Sequence, residues 1–516
     1  MLTDDQLDIF GEAFTELFQR LEKTVIEDIA RRLRKSDRWT ETAELQAASL
    51  RELGYSPARV RAQVLRALRA DSSYAAWLEQ NTLEAKAIQQ EAIRQAREEL
   101  KNIAPELYQA AGDMAFHNDL SLWESAGQTL QRGSAIDRVI REMEKRGSED
   151  CLNLTGSLGF RYPAAPVRLS RAYTTAMNDA LVKTVSGAFS HQSALDAAVR
   201  ELTRSGLRTV DFASGVSRQL DTAARNALLT SLGQLAGAIM QANIEESGVN
   251  HVQVSAHWGA RPSHALWQGR IYTLQQFREV CGYGDPGNPD HIYSYNCRHN
   301  HYPYWPGISE PVEYPPEPGP FEVDGKTYTY YQATQKQRYM EREIRALKRE
   351  INAGGDKAVL GSRIREKTWE YRAFSDAVNI RPKLERLRVL GYDRSTAASV
   401  KNAMRFIDDI RKAGNVPQTA RINLVPRWID VGALSFDDKH INGDRSHHVT
   451  REQAEGWIKK AKFSISVWGG NYERYHGEEG SVYVNLATKN IRTAYASDEY
   501  DKHVIAMLEV LKQNGY

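Results

Sequence analysis

The stretch from His257 to Trp305 constrains this chain most, because its 49 residues hold two of the three cysteines, five of the thirteen histidines and a run of indoles and phenols. It reads HWGARPSHALWQGRIYTL, then FREVCGYGDPGNPDHIYSYNCRHNHYPYWPG. Glycine and proline punctuate it too often for long helices, so something other than a regular core must hold it. Two holders are consistent with the residues. Cys281, Cys297 and His299, with His264 or His301 as a fourth ligand, form a donor set suited to a tetrahedral structural zinc, although a Cys-x-His pair stands where a Cys-x-x-Cys knuckle is usual. The alternative is a metal-free plug in which imidazoles satisfy backbone groups while Trp258, Trp267, Tyr295, Tyr304 and Trp305 supply the core. Sequence leaves both open.

A chain of 516 residues exceeds one ordinary core and suggests about three domains. Charged residues at 26% and hydrophobic residues at 41% give a globular balance, and a net charge of +2 gives no overall attraction to DNA. Three cysteines, one of them the isolated Cys151, argue against a disulfide framework and for assembly in a reducing cytoplasm. The opening MLTDDQLDIF is acidic where a signal peptide is basic. The most apolar helix, Leu228 to Met240, is interrupted by Gly233 and Gly237 and too short to span a bilayer.

Residues 1–250 read as an irregular helical bundle. Thr3 and Gln6 have capping-box spacing, after which Ile9, Phe10, Phe14, Leu17, Phe18, Leu21, Val25 and Ile29 recur every three or four residues. Further helices are expected at Pro57–Arg69, Ser73–Leu100, Pro105–Met114, Ala135–Lys145, Arg171–Ser186, Ser193–Ser205 and Asp211–Asn243, with a Gly/Pro-rich connection from Leu152 to Ala165. No sustained heptad marks a coiled coil. Ala223, Ala224, Ala227, Gly233, Ala236 and Gly237 would admit a close neighbour, either ordinary packing within the chain, which is favoured, or an inter-subunit or partner-binding face.

The strings VSAHWGARPSHALWQG and YNCRHNHYPYWPG resemble the signature region of the phage minor capsid protein 2 family, related to the MuF-like head proteins of tailed phages. The opening LTDDQLDIFGEAFTELFQRLEKTVIEDIARRL and the later YYQATQKQRYMEREIRALKRE are similar to that family as well. The resemblance implies a few-copy virion protein, assembled in the host cytoplasm, placed near the portal or packaged in the head, with portal and other head proteins as partners.

Residues 251–334 form a small Cys/His-rich α+β module: Val252 and Val254 alternate with polar residues, and Arg270–Leu274 is a second short strand. Arg261, His264 and Trp267 lack a spaced nucleophile and base, so they are expected to tie loops together rather than catalyse. Prolines from 303 to 320 stiffen a linker, and Asp324-Gly325 turns a hairpin. Gly319 with Gly325-Lys326-Thr327 misses P-loop spacing and lacks the following helix, which excludes nucleotide binding there. Residues 335–415 form a basic helical segment, with 20 Lys plus Arg against 11 Asp plus Glu. Such a segment either contacts packaged DNA or presents a solvated face with pairs such as Glu341 with Arg345.

Residues 416–516 read as a small α+β domain. Thr450 and Gln453 cap a helix through Ala461, and Ser464–Trp468, Ser481–Asn485 and Ile491–Ala494 are strands. Lys439, His440, His447 and His448 precede the helix, Arg474 and Tyr475 are expected in an inter-strand turn, and Arg492, Thr493 and Tyr495 mark the last strand. Imidazole, guanidinium and hydroxyl together suffice for metal-independent RNA cleavage by the substrate's own 2′-hydroxyl. The domain resembles the phage nuclease-like domains of the barnase, EndoU, colicin and RelE type, which implies catalytic roles for His440, His447, His448, Arg474, Tyr475, Arg492 and Thr493. Against this, residues 431–516 carry 11 Lys plus Arg and 12 Asp plus Glu, so no positive surface draws RNA in. The expectation is therefore an α-rich multidomain head protein with an RNase effector. A free polymorphic toxin, an ADP-ribosyltransferase-like effector and a purely structural protein with an inactive last domain are the alternatives.

Overall fold

A computed structural model of the chain describes residues 1–516 except 3, 286, 394–408, 418, 419, 424, 425, 428, 469, 470 and 514–516. The Thr3 cap and part of the basic segment lie outside the described residues. The chain is an α-rich multidomain protein. It opens with helices α1 (Asp4–Arg34), α2 (Asp37–Glu52), α3 (Pro57–Ala70), α4 (Ser72–Ser125) and α5 (Ser134–Asn153). On α1 the three-and-four spacing becomes a buried stripe of Phe10, Phe14, Leu17, Phe18, Leu21, Val25 and Ile29. Helix α4 corrects the expected break at Pro105: one helix of 54 residues runs through the proline. The ring removes one backbone hydrogen bond, but Leu100, Ala104, Leu107, Tyr108 and Ala111 stay on one buried stripe across it, and packing outweighs propensity.

Next come β1 (Leu158–Arg161), β2 (Pro166–Arg168), α6 (Leu169–Ser186), α7 (His191–Ser205), β3 (Arg208–Val210), β4 (Ser217–Gln219) and α8 (Leu220–Glu246). The Leu152–Ala165 connection thus contains a strand, and residues 211–219 are not helical. They form a hairpin within a sheet of order β2-β1-β3-β4, because the Asp211 carboxylate accepts from the N–H of Ala213 and Ser214 and Gly215 takes a positive φ of 75°. Of the small residues on α8, Ala223, Ala224 and Ala236 are buried, and a Cβ on Gly237 would collide with the Tyr293 ring. For these four, packing within the chain accounts for the small side chains.

The central module is a three-stranded sheet, order β6-β5-β7, of β5 (His251–Val254), β6 (Ile271–Thr273) and β7 (His301–Pro303). A helical turn α9 (Pro262–Ala265) and helix α10 (Leu274–Cys281) sit between its strands. The proline-rich linker is docked on it: Gln253 exchanges hydrogen bonds with the backbone of Val312, and the Trp258 indole donates to the Pro315 carbonyl at 3.0 Å. Asp324 and Gly325, at φ 51° and 70°, turn the hairpin of β8 (Phe321–Val323) and β9 (Lys326–Tyr328).

The antiparallel helices α11 (Tyr330–Asn352) and α12 (Lys357–Ala377) follow. Arg345 does not pair with Glu341. It binds the buried Asp221 at 3.0 Å, while Glu341 accepts the Tyr371 hydroxyl. Arg200 with Glu350, Lys348 with Asp393 and Arg388 with Glu12 are likewise internal ion pairs, so part of the basic charge binds α11 and its return loop to the bundle.

The last region is a six-stranded sheet of β10 (Arg421–Asn423), β11 (Ser435–Phe436), β12 (Phe463–Val467), β13 (Tyr472–His476), β14 (Gly480–Asn485) and β15 (Asn490–Ala496), in order β10-β12-β13-β14-β15-β11. Only the β11–β15 pairing is parallel. Helix α13 (Arg451–Lys460), with the expected Thr450–Gln453 capping box, covers one face through Trp457 and Ile458. On the other face Val504, Met507 and Leu511 of α14 (Lys502–Gln513) join Phe463, Ile465 and Val467 in a buried cluster that continues into the N-terminal bundle. Arg474 and Tyr475, expected in a turn, lie inside β13; charged and aromatic residues hide its alternation because both faces are covered.

Candidate functional site

Three places concentrate chemistry. In the central module, α9 supplies His264 and the loop before β7 supplies Cys297 and His299. His264 Nδ1 and His299 Nδ1 are 3.3 Å apart, and Cys297 Sγ lies 3.5 Å from His299 Nδ1. All three donor atoms fall within 4.8 Å of one another. Both histidines are buried. Burial, then Arg261, pulls His264 down to about 4; burial, then His257 and His264, pulls His299 down to about 2, so both rings are neutral at pH 7. The Cys281 thiol, which burial and then Cys297 push up to about 12, stands outside the three-atom group but in the same apolar cluster as Cys297. His301 is a correction to the ligand set: its Nδ1 meets the Tyr293 hydroxyl at 2.8 Å and its ring packs on Phe277, away from the group. Arg261 reaches Ser294 and the Tyr295 carbonyl, tying loops together.

Beside the module, a cavity of about 510 Å³ opens between α1, α8, α11 and the loop carrying Arg386. Of the carboxylates that line it, Asp221, Glu12 and Asp393 are taken by Arg345, Arg388 and Lys348, Glu341 accepts the Tyr371 hydroxyl, and Glu16 and Glu385 complete the set. Arg298, Arg338 and Arg386 also line it, and among the described residues their side chains have no ion-pair or hydrogen-bond partner. Burial, then Arg386 and Arg298, lowers the pKa of Arg338.

In the C-terminal sheet, strand register brings part of the expected set together. Arg474 is opposite Tyr483, and Tyr483 is opposite Thr493, so the three share a face. The Arg474 guanidinium lies 5.0 Å over the Tyr483 ring, the Tyr483 and Tyr495 hydroxyls are 2.9 Å apart, and the His447 ring is 5.6 Å from that of Tyr495. Glu499 holds His447 Nδ1 at 2.8 Å. The other residues go elsewhere. Tyr475 is buried on the opposite face and donates to the Arg427 carbonyl. Arg492 pairs with Asp437 at the sheet edge, and the Asp437 carboxylate also accepts the backbone N–H of His440. His440 itself faces Asp444 at 3.5 Å from a π-helical turn, and His448 is exposed.

Sequence reading missed Tyr483, which only strand register recruits, and Glu499, which the turn after β15 brings to His447. It also missed Glu473, a fully buried carboxylate accepting from the hydroxyls of Ser464 and Ser466 and the amide of Asn423. The alternation Ser464-x-Ser466 facing Glu473 across one ladder was the available signal.

A family model described as Phage minor capsid protein 2 matches residues 2–374, which takes in the bundle, the central module and most of the α11–α12 pair. The chain belongs to the phage minor capsid protein 2 family. No curated protein and no solved structure gives a match. This minor capsid protein is therefore a structural component of the phage head, found in the virion with other head proteins. Among its described residues no helix is long and apolar enough to cross a membrane. The family match stops inside α12, so the C-terminal sheet lies beyond it.

Proposed function

We propose that this minor capsid protein stands at the portal vertex or inside the head and that its C-terminal sheet is a metal-independent ribonuclease. The single-face grouping of His447, Arg474, Tyr483, Thr493 and Tyr495 carries the reading. In this proposal His447, oriented by Glu499, takes the proton of the RNA 2′-hydroxyl. The 2′-oxygen attacks phosphorus, the bond to the 5′-oxygen breaks, and Tyr495 returns a proton to that leaving oxygen. Burial, followed by Tyr483, raises the Tyr495 phenol above its ordinary value and keeps the proton on it. Arg474 faces the charge that grows on the phosphoryl oxygens, and Thr493 positions it. The products are a 2′,3′-cyclic phosphate and a 5′-hydroxyl.

Purified full-length protein incubated with host RNA tests this. Cleavage leaving cyclic phosphate ends, lost in His447→Ala with Arg474→Ala, is the expected result; no cleavage, or cleavage the pair of substitutions leaves intact, rules it out. Placement is tested by mass spectrometry of particles, which should give a low, fixed copy number. We also propose that Arg298, Arg338 and Arg386 meet phosphates of packaged DNA, since among the described residues their guanidiniums make no ion pair or hydrogen bond. Duplex binding that does not weaken with salt would count against that contact.

A further inference from the structure

We propose that His264, Cys297 and His299 hold a zinc ion that staples the loop before β7 onto the turn α9. The donor spacing carries this. A tetrahedral zinc with bonds of about 2.05 Å to nitrogen and about 2.3 Å to sulfur puts its ligand atoms about 3.3 Å apart for a nitrogen pair and about 3.6 Å apart for nitrogen and sulfur. The observed separations are 3.3 Å for His264 Nδ1 to His299 Nδ1 and 3.5 Å for His299 Nδ1 to Cys297 Sγ. Two edges of the tetrahedron are already built.

Hydrogen bonding outside the cluster fixes which way the lone pair of His299 points. The backbone N–H of His257 donates to Gln268 Oε1 at 3.1 Å, which identifies that atom as the amide oxygen. His299 Nε2 lies 2.9 Å from the same oxygen, so Nε2 carries the ring proton and donates it. The lone pair of His299 is therefore on Nδ1, aimed at the thiol and at His264. This is the outer-sphere arrangement that orients a metal-bound imidazole. A direct contact between the two imidazoles is a poor substitute, because 3.3 Å is long for a hydrogen bond to nitrogen. Two imidazoles with one thiol select zinc over magnesium or calcium. On binding, the Cys297 thiol gives up its proton, leaving a neutral pair of imidazoles and one thiolate around the ion. The fourth vertex goes to solvent or to Cys281, the one other cysteine in the surrounding cluster.

The test uses the full-length protein prepared without chelator or added metal. Elemental analysis should return about one zinc per chain, and Cys297→Ser with His299→Ala should lose it. His301→Asn, outside the cluster, should keep it. Cobalt exchanged into the wild-type protein should show tetrahedral ligand-field bands and a thiolate charge-transfer band; this readout needs no variant to fold. Removing the metal should lower the unfolding midpoint by about 5 °C or more. Folded wild-type protein without stoichiometric zinc, zinc that survives the double substitution, or cobalt without the thiolate band would overturn the site.

Discussion

The central module and the C-terminal sheet both bury polar groups, and they dispose of them in opposite ways. In the sheet each buried group has its own partner: Glu473 takes three donors, His476 Nδ1 meets the Ser481 hydroxyl at 2.8 Å, and Tyr475 meets a carbonyl. In the module donors of one kind face each other, with two imidazoles and a thiol at one point, and beside it three guanidiniums without ion-pair partners among the described residues gather around the cavity, near Glu341 and Glu385. A matched polar group stabilises the fold that buries it, whereas a gathering of like groups costs energy until a ligand arrives. Burial alone does not tell the two apart. Partnering does.

The largest effect should come from unmatching a matched group. Glu473→Ala leaves the hydroxyls of Ser464 and Ser466 and the Asn423 amide without their acceptor, at a cost of about 3 kcal/mol or more. Urea unfolding followed by hydrogen exchange in β12 and β13 reads this, and Glu473→Gln should recover part of it because one oxygen remains. A loss below about 1 kcal/mol would mean that this sheet is no better matched than the module.

The contrast also explains what was legible beforehand. Periodicity gave the stripe on α1, turn chemistry the Asp324-Gly325 hairpin and cap spacing the Thr450 capping box, because each rests on residues close in sequence. It failed at Pro105, where burial on both sides of the proline carries the helix through, and at residues 211–219, where one aspartate side chain makes a turn inside a helical-looking run. Of the sites, Cys297, His299 and His264 could be named from composition, but excluding His301 required knowing that Tyr293 takes its Nδ1. The face shared by Arg474, Tyr483 and Thr493 exists only through strand register, which no local spacing encodes.

A second prediction uses pH. Burial, then Arg474, pulls His476 down to about 3, against about 6.5 in the unfolded chain, while Asp501 opposes the shift. A depressed histidine binds its proton more readily when unfolded. Its contribution is therefore complete above about pH 6.5 and is lost as pH falls from there towards 3, by about 1.4 kcal/mol per pH unit. Between pH 7 and pH 5 the sheet should lose about 2 kcal/mol through this group. His476→Asn, which keeps a polar side chain facing Ser481, should be less stable at pH 7 and lose less on acidification. Parallel pH profiles for the two proteins would remove His476 as the cause.

The smallest effect should have the opposite sign. Arg338 and Arg345 stand on the same helix, two turns apart, with one guanidinium unmatched and the other bound to a carboxylate. Burial alone would raise Asp221, but Arg345 and Arg349 outweigh it and hold its pKa below the ordinary value, so removing Arg345 strips a buried charge of its partner and destabilises. Removing Arg338 takes one cation out of a group of three, a relief that the nearby Glu341 carboxylate partly offsets. Its side chain keeps contact with solvent, so screening limits the gain: Arg338→Gln should raise stability by only about 0.5 kcal/mol at low salt. At about 0.5 M salt the gain should vanish, because screening already relieves the repulsion. Urea midpoints at the two salt concentrations decide it. A destabilised variant would show that Arg338 has a partner after all, and the cavity would join the C-terminal sheet as a place where charge is matched from within.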